Sequence, residues 1–185
     1  MLRAVLAYLF WHAPADGAGG DGYVARLAAF HRALAAAPPP GFRGSWSVAL
    51  ERPPWDGAPE VRFEDWYLVE DWAALGALND AAVQGPRKAP HDAVAGVAGA
   101  GRGGVYALHH GALDGPAAWA GWVVKPRGAP YPEVEPHLVD AAAGGAVLRR
   151  QMVLGPAPEY VVLADGPRAL PWPATATGPR ALEER

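Results

Sequence analysis

The sequence predicts an α+β fold: antiparallel strands with helices on their outer face, laid out twice on one strand-helix-strand-strand plan. Three features point that way. Short apolar runs rich in Val, Trp, Tyr and Phe alternate with longer stretches whose apolar residues recur at helical spacing. The link between the second and third runs, Arg52 to Pro59, can turn a hairpin but cannot hold a crossover helix with its linkers. A later stretch, Trp119 to Ala164, repeats the opening order of elements.

Arg3 to Trp11 reads as the first strand, because Val5, Tyr8, Phe10 and Trp11 are β-formers in an almost wholly apolar run. With Ala13 and Ala15 behind it, the same run has the outline of a short signal peptide, but its pattern returns later, which favours the strand. A glycine-rich loop, Asp16 to Gly22, leads into Tyr23, Leu27, Phe30 and Leu34, one apolar helical stripe with Asp21 as candidate N-cap. Pro38-Pro39-Pro40-Gly41 ends that helix. Trp46, Val48 and Leu50 then alternate with Ser45, Ser47 and Ala49, while Val61, Phe63, Tyr67 and Val69 share one parity of the partner strand. Asp71 can cap a helix carrying Trp72, Leu75, Leu78 and Ala82 that stops near Gly85-Pro86. A looser helical piece from Asp92 to Ala98 and the pair Gly103-Gly104 precede a strand from Val105 to His109, which completes a βαββαβ order.

Trp119 to Lys125 opens the second round as a strand, and Tyr131, Val134, Leu138 and Val139 form a helical stripe ending at Gly144-Gly145. Strands at Val147 to Leu154 and Tyr160 to Ala164 follow across the turn Gly155-Pro156-Ala157-Pro158. Residues match as well as elements. Tyr23 and Phe30 correspond to Tyr131 and Leu138 at equal separation, and Ala58-Pro59-Glu60 corresponds to Ala157-Pro158-Glu159 at the start of a strand. His12 and Lys125 each end an opening strand.

Composition narrows what this fold can do. With 185 residues, 51% of them hydrophobic, the chain can bury a sizeable core. A net charge of -3, with Arg and Lys scattered, gives no attraction to phosphate and argues against nucleic acid. The absence of cysteine excludes disulfides, thiolate metal sites and a cysteine nucleophile. No apolar run reaches the roughly 20 residues that span a bilayer, so no membrane partner and a cytoplasmic location are expected.

A βαββαβ unit followed by βαββ resembles the dimeric α/β-barrel superfamily, in which two ferredoxin-like sheets close face to face, here within one chain. The run Trp66-Tyr67-Leu68-Val69-Glu70-Asp71-Trp72-Ala73-Ala74-Leu75, strand directly into helix, is similar to that group's second crossover. The resemblance implies a first ferredoxin-like half over residues 1–111, a shortened second half over 112–165 without its second helix, and a Pro/Ala-rich tail over 166–185 that wraps the surface or frays. Cofactor-free monooxygenases, EthD-like proteins, muconolactone-isomerase-like enzymes and haem proteins of the chlorite dismutase type share this architecture, which by itself selects none of them.

Two glycine patterns match a dinucleotide fingerprint, Gly17 to Gly22 and Gly99 to Gly104. His12 to Asp16 separate the first from its strand, and the second precedes a strand instead of following one, so neither predicts a nucleotide. His109 and His110 adjoin on a strand and must point to opposite faces, so no metal site and no cofactor are expected. His31 and His137 read as helix-packing imidazoles, with haem ligation as the other option. One of Arg149 and Arg150 must face inward and needs an anionic or carbonyl partner, such as Glu64, Asp65 or a bound carboxylate.

Eight tryptophans suggest a pocket for a small apolar or aromatic molecule, lined by Trp11, Trp66, Trp122 and Tyr160 with Lys125, Arg149 and Arg150. If the protein is an enzyme of the kinds it resembles, His12, His109 or Tyr67 moves the proton and Arg149 or Arg150 holds an anionic oxygen. The rival expectation is a scaffold whose interior the tryptophans fill. Exposed sheet edges also make a homo-oligomer an expectation.

Overall fold

The computed structural model describes residues 5–56, 61–153, 156–178 and 180–181. Ala58-Pro59-Glu60, Arg3 and Leu154, which the repeat and strand readings used, lie outside the described residues. In order the elements are β1 (Leu6–Pro14), α1 (Asp21–Ala36), β2 (Phe42–Ala49), β3 (Phe63–Val69), α2 (Trp72–Ala82), α3 (Lys88–Ala95), β4 (Ala98–His110), β5 (Trp119–Val123), α4 (Tyr131–Ala142), β6 (Ala146–Val153), β7 (Tyr160–Ala164), β8 (Ala174–Thr177) and β9 (Arg180–Ala181).

All of these strands join one antiparallel sheet in the order β8-β5-β7-β6-β4-β1-β3-β2-β9. The first four strands lie as β4-β1-β3-β2 and the next four as β8-β5-β7-β6, the same relative order. β4 pairs with β6 across the join. At the far ends of the sheet, β8 pairs with β5 and β9 with β2. Thr177 and Arg180 are three Cα steps apart, at most about 11 Å, so the sheet curls until its outer strands nearly meet around one interior.

Side-chain alternation makes that curl a layered core. Ala7, Leu9 and Trp11 of β1 and Trp66 and Leu68 of β3 point inward, joined by Val48, Tyr106, Trp122 and Leu148. The opposite parity, Leu6, Tyr67 and Val69, packs with Tyr23, Leu27 and Leu34 of α1 and Leu78 of α2. In the later part, Val147 and Val162 pack against Val134 and Leu138 of α4. Full burial of a Leu or Phe class side chain contributes about 1.5–3 kcal/mol.

The parities of Trp46, Val48 and Leu50 and of Phe63, Tyr67 and Val69 follow the sequence pattern, while Val61 lies before β3 and packs in the barrel interior. Asp71 caps the helix over residues 72–82, its carboxylate accepting from Ala74 N at 2.8 Å, and Trp72 is exposed instead of joining the buried stripe. Four further local expectations are corrected. Gly20, at φ +87°, takes the residue before α1, and Asp21 lies in the first turn without capping it. The looser piece expected over residues 92–98 is a helix over Lys88–Ala95, starting earlier because a short 3-10 turn at Gly85–Arg87, with Pro86 in its first turn, leads straight into it. β4 starts at Ala98, seven residues before Val105, because its glycines let aromatic rings lie flat on the strand. A Cβ at Gly101 would fall 2.1 Å from Phe10 Cζ, and one at Gly103 2.8 Å from the Tyr8 hydroxyl. Within the expected tail, the alternating Ala174-Thr175-Ala176-Thr177 forms a strand paired along β5, in place of the surface wrap or frayed end that the composition predicts.

Candidate functional site

β3 carries two adjacent buried carboxyls, and alternation sends them to opposite sides of the sheet. Glu64 points into the barrel, where Trp11 Nε1 donates to one oxygen at 2.6 Å and Trp66 Nε1 to the other at 2.7 Å. Burial pushes its carboxyl up to about 7 even though both indole bonds oppose the shift, and the charge of Asp65 adds to it. A small void of about 10 Å³, enough for one water, lies beside Glu64, Trp46, Trp66 and Ala117.

Outside that void is an open cleft of about 510 Å³. Arg43, Ser45, Trp46 and Leu68 form one wall, and the β4–β5 loop, Leu113 to Pro116, forms the other. Trp46 and Pro116 line both spaces and so separate the cleft from Glu64. Trp46 is fixed there by stacking on Trp66, ring centres 5.8 Å apart and planes 11° apart.

Asp65 lies under α1 in a polar cluster. Its Oδ1 accepts from the Ser47 hydroxyl, and its Oδ2 accepts from Tyr67 at 3.0 Å. His12 Nε2 approaches Oδ2 to 3.2 Å and His31 Nε2 approaches Oδ1 to 3.7 Å, both as ion-pair approaches. Burial works to raise Asp65, but the charge and hydrogen bonding of His12, and then of His31, overcome it and hold the carboxyl well below the usual range. His12 Nδ1 meets the Tyr23 hydroxyl at 2.7 Å, and the two nitrogens of His31 meet Ser45 at 2.7 Å and Ser47 at 2.8 Å. Tyr67 is held far above its ordinary value, by burial first and by Asp65 next.

The residues singled out from sequence therefore fall into three places. Trp11, Trp66 and Trp122 are together in the barrel interior, with Trp11 edge-on to Trp122 at 5.7 Å. His12 and Tyr67 meet at Asp65 on the helix side, where no cleft reaches them directly. His109, Arg149 and Tyr160 converge on Glu135 of α4, at 3.4, 2.8 and 3.2 Å. Lys125 lies nearby, 5.4 Å above the Tyr131 ring that Arg149 also covers at 4.8 Å. Arg150 donates to the Ala157 carbonyl at 2.6 Å. The sequence requires an anionic or carbonyl partner for one arginine, the one facing inward; Arg149 meets Glu135 and Arg150 the Ala157 carbonyl, not Glu64 or Asp65.

Sequence reasoning named Glu64 and Asp65 only as partners for other groups, counted Trp46 among the tryptophans able to line a cavity, and passed over Ser45 and Ser47 as site residues. The available signal was parity: Ser45 and Ser47 share a face that faces α1, not water. A haem does not fit the residues present, since no histidine lines the cleft and both nitrogens of His31 are engaged. Among the described residues no three His, Asp or Glu side chains are grouped to hold a metal, and no helix is long and apolar enough to cross a membrane.

No family model and no curated protein matches this chain. Solved structures do. A proposed monooxygenase from Fusobacterium nucleatum superposes with a TM-score of 0.65 at 10% identity, covering 99% of this chain and 94% of its own. A proposed chlorite dismutase gives 0.57 at 11% identity over 97% of this chain and 95% of its own. An anthrone oxidase-like protein gives 0.50 at 12% identity over 89% and 74%. At these identities the likeness is one of fold alone.

Proposed function

We propose that the protein binds a small apolar or aromatic molecule at the barrel mouth and that Glu64 exchanges a proton with it. The observation that carries this reading is a carboxyl pushed up to about 7, held by two indole N–H groups, one side chain behind a cleft of about 510 Å³. A group that titrates near neutrality can both take and return a proton under working conditions. The cleft has the volume of a small-molecule site, and Trp46 supplies an aromatic floor. A ligand reaches Glu64 when the Trp46 ring or the Pro116 loop shifts, since the void behind them holds about 10 Å³.

Among the reactions suggested by the names of the structural neighbours, cofactor-independent oxygenation of an acidic aromatic is the one that Glu64 can serve. Glu64 would take the substrate's acidic proton, the resulting carbanion would bond to dioxygen to give a hydroperoxide, and loss of water from it would leave one oxygen on that carbon as a carbonyl. His12 and Tyr67 are not in position to touch such a substrate, so the proton-transfer role moves to Glu64. The matched strand orders support a duplicated origin, with residues 1–111 as the first unit and a second unit that runs past residue 165 to take in β8 (Ala174–Thr177) as its fourth strand.

A scaffold is the second reading, favoured by the tight edge-on packing of Trp11 on Trp55 at 5.0 Å and on Trp122 at 5.7 Å. Titration of tryptophan fluorescence with phenol, 1-naphthol and anthrone separates the two. The binder predicts saturable quenching whose affinity changes across neutral pH in the natural protein and not in Glu64→Gln. Linear, unsaturable quenching by all three probes would favour the scaffold.

A further inference from the structure

Resting on the reading that Glu64 lies at the inner end of a ligand cleft, we infer that the ligand is an aromatic acid whose carboxylate is held by Arg43 at the outer end. A bulge places that arginine. β2 and β3 are in register at Phe42 and Val69 and again at Gly44 and Leu68, so Arg43 is one extra residue with no opposite number on β3. Plain alternation would send it to the α1 face with Ser45 and Ser47. The bulge instead brings it to the cleft wall beside Leu68 and to Glu70, which continues the parity of Leu68.

The same register sets out the rest of the binding surface in a row. Gly44 pairs with Leu68, Trp46 with Trp66 and Val48 with Glu64, each step being two residues or about 7 Å. Rim cation, aromatic platform and proton-exchanging carboxyl therefore follow one another along one face of the two strands. A Cβ at Gly44 would meet nothing within 4 Å, so the strand beside Arg43 is bare. A fused aromatic ring laid on Trp46, with a carboxylate at one end and its acidic hydrogen at the other, matches this order. A single phenol ring is too short to reach both ends.

Arg43 is able to take the carboxylate. Its Nη2 stands 3.6 Å from Glu70 Oε1, too long for a hydrogen bond, and the two side chains are 38% and 37% exposed, so this ion pair holds it weakly. A planar carboxylate can instead accept two parallel N–H bonds from the guanidinium fork. Asp114 is the other charged residue among the described ones that line the cleft. It lies on the loop wall and repels an anion there, which directs the carboxylate to the β2 wall.

The test compares 6-hydroxy-2-naphthoate with 2-naphthol, the same ring without the carboxylate, by isothermal titration calorimetry on the full chain. The natural protein should bind the naphthoate about 10-fold more tightly, the lower end for a charge-assisted bond because the site is exposed. In Arg43→Gln that ratio should fall to about one, and Arg43→Lys, which keeps the charge and loses the fork, should hold an intermediate ratio. Asp114→Asn should raise the ratio above the natural one. Thermal melting checks that each variant is folded. A ratio of about one in the natural protein, or an unchanged ratio in folded Arg43→Gln, overturns the inference, while saturable binding of 2-naphthol leaves the cleft itself standing. Absence of saturable binding by either compound overturns both.

Discussion

Glu64 and Asp65 are neighbours on β3 whose carboxyls enter two different interiors and titrate in opposite directions. Among the described residues Glu64 meets indole N–H donors and is pushed up to about 7, whereas Asp65 stands between His12 and His31 and is held low. The same burial acts on both, so the difference comes from the partners: neutral donors stabilise a carboxylate less than imidazolium charge does. A single peptide unit separates a proton-exchanging group from a fixed anion.

Replacement of Glu64 by Gln should change stability in a pH-dependent way. Its folded value lies above the ordinary 4.5, so below that pH the carboxyl is neutral in both states and its favourable effect is complete. As pH rises through about 7 the unfolded chain has already ionised and the folded state loses stability. Urea midpoints should therefore be similar for the two proteins near pH 4, and by about pH 8 the Gln variant should gain on the order of 3 kcal/mol relative to the natural protein. A gap that does not vary with pH would contradict the shift.

Asp65→Asn should behave in the opposite sense. The folded carboxyl is held below its ordinary 3.8, so its contribution is full above that pH and fades as pH falls below it. At neutral pH the variant removes the carboxylate that accepts from the buried Ser47 and Tyr67 hydroxyls, and a buried donor left without its acceptor costs about 1–3 kcal/mol. Thermal melts at neutral pH should show the full loss, and melts below pH 3.8 should show the gap closing.

Two glycines should respond differently to alanine. At Gly101 the new Cβ meets the tip of the Phe10 ring, which can swing aside, so the cost should be about 1 kcal/mol. At Gly145 it would lie 2.0 Å from the Leu163 carbonyl oxygen, a backbone atom of β7 that cannot move alone, so the loss should exceed about 2–3 kcal/mol. Denaturant midpoints of the two variants check the order.

Much of the fold was legible because period and punctuation agreed: Trp46 and Val48 against Ser45 and Ser47, Asp71 before its helix, Gly144-Gly145 after α4. β8 was missed because proline-rich composition masks a four-residue Ala/Thr alternation, and the start of β4 because its glycines look like a loop until Tyr8 and Phe10 are laid over them. The site was harder to read. Ser45, Ser47 and Asp65 come from two strands and His31 from a helix, and nothing local marks their convergence. Nor does any motif set Glu64 apart from a surface glutamate, since its character comes from Trp11, 53 residues away.

The most direct test of Glu64 as a proton-exchanging group follows the indole N–H resonances of Trp11 and Trp66 by nitrogen-edited NMR as pH is varied. Both should shift together with a midpoint near 7, and neither should shift in that range in Glu64→Gln. A shared midpoint at or below the ordinary 4.5 would show an ordinary ionised carboxylate and contradict the account.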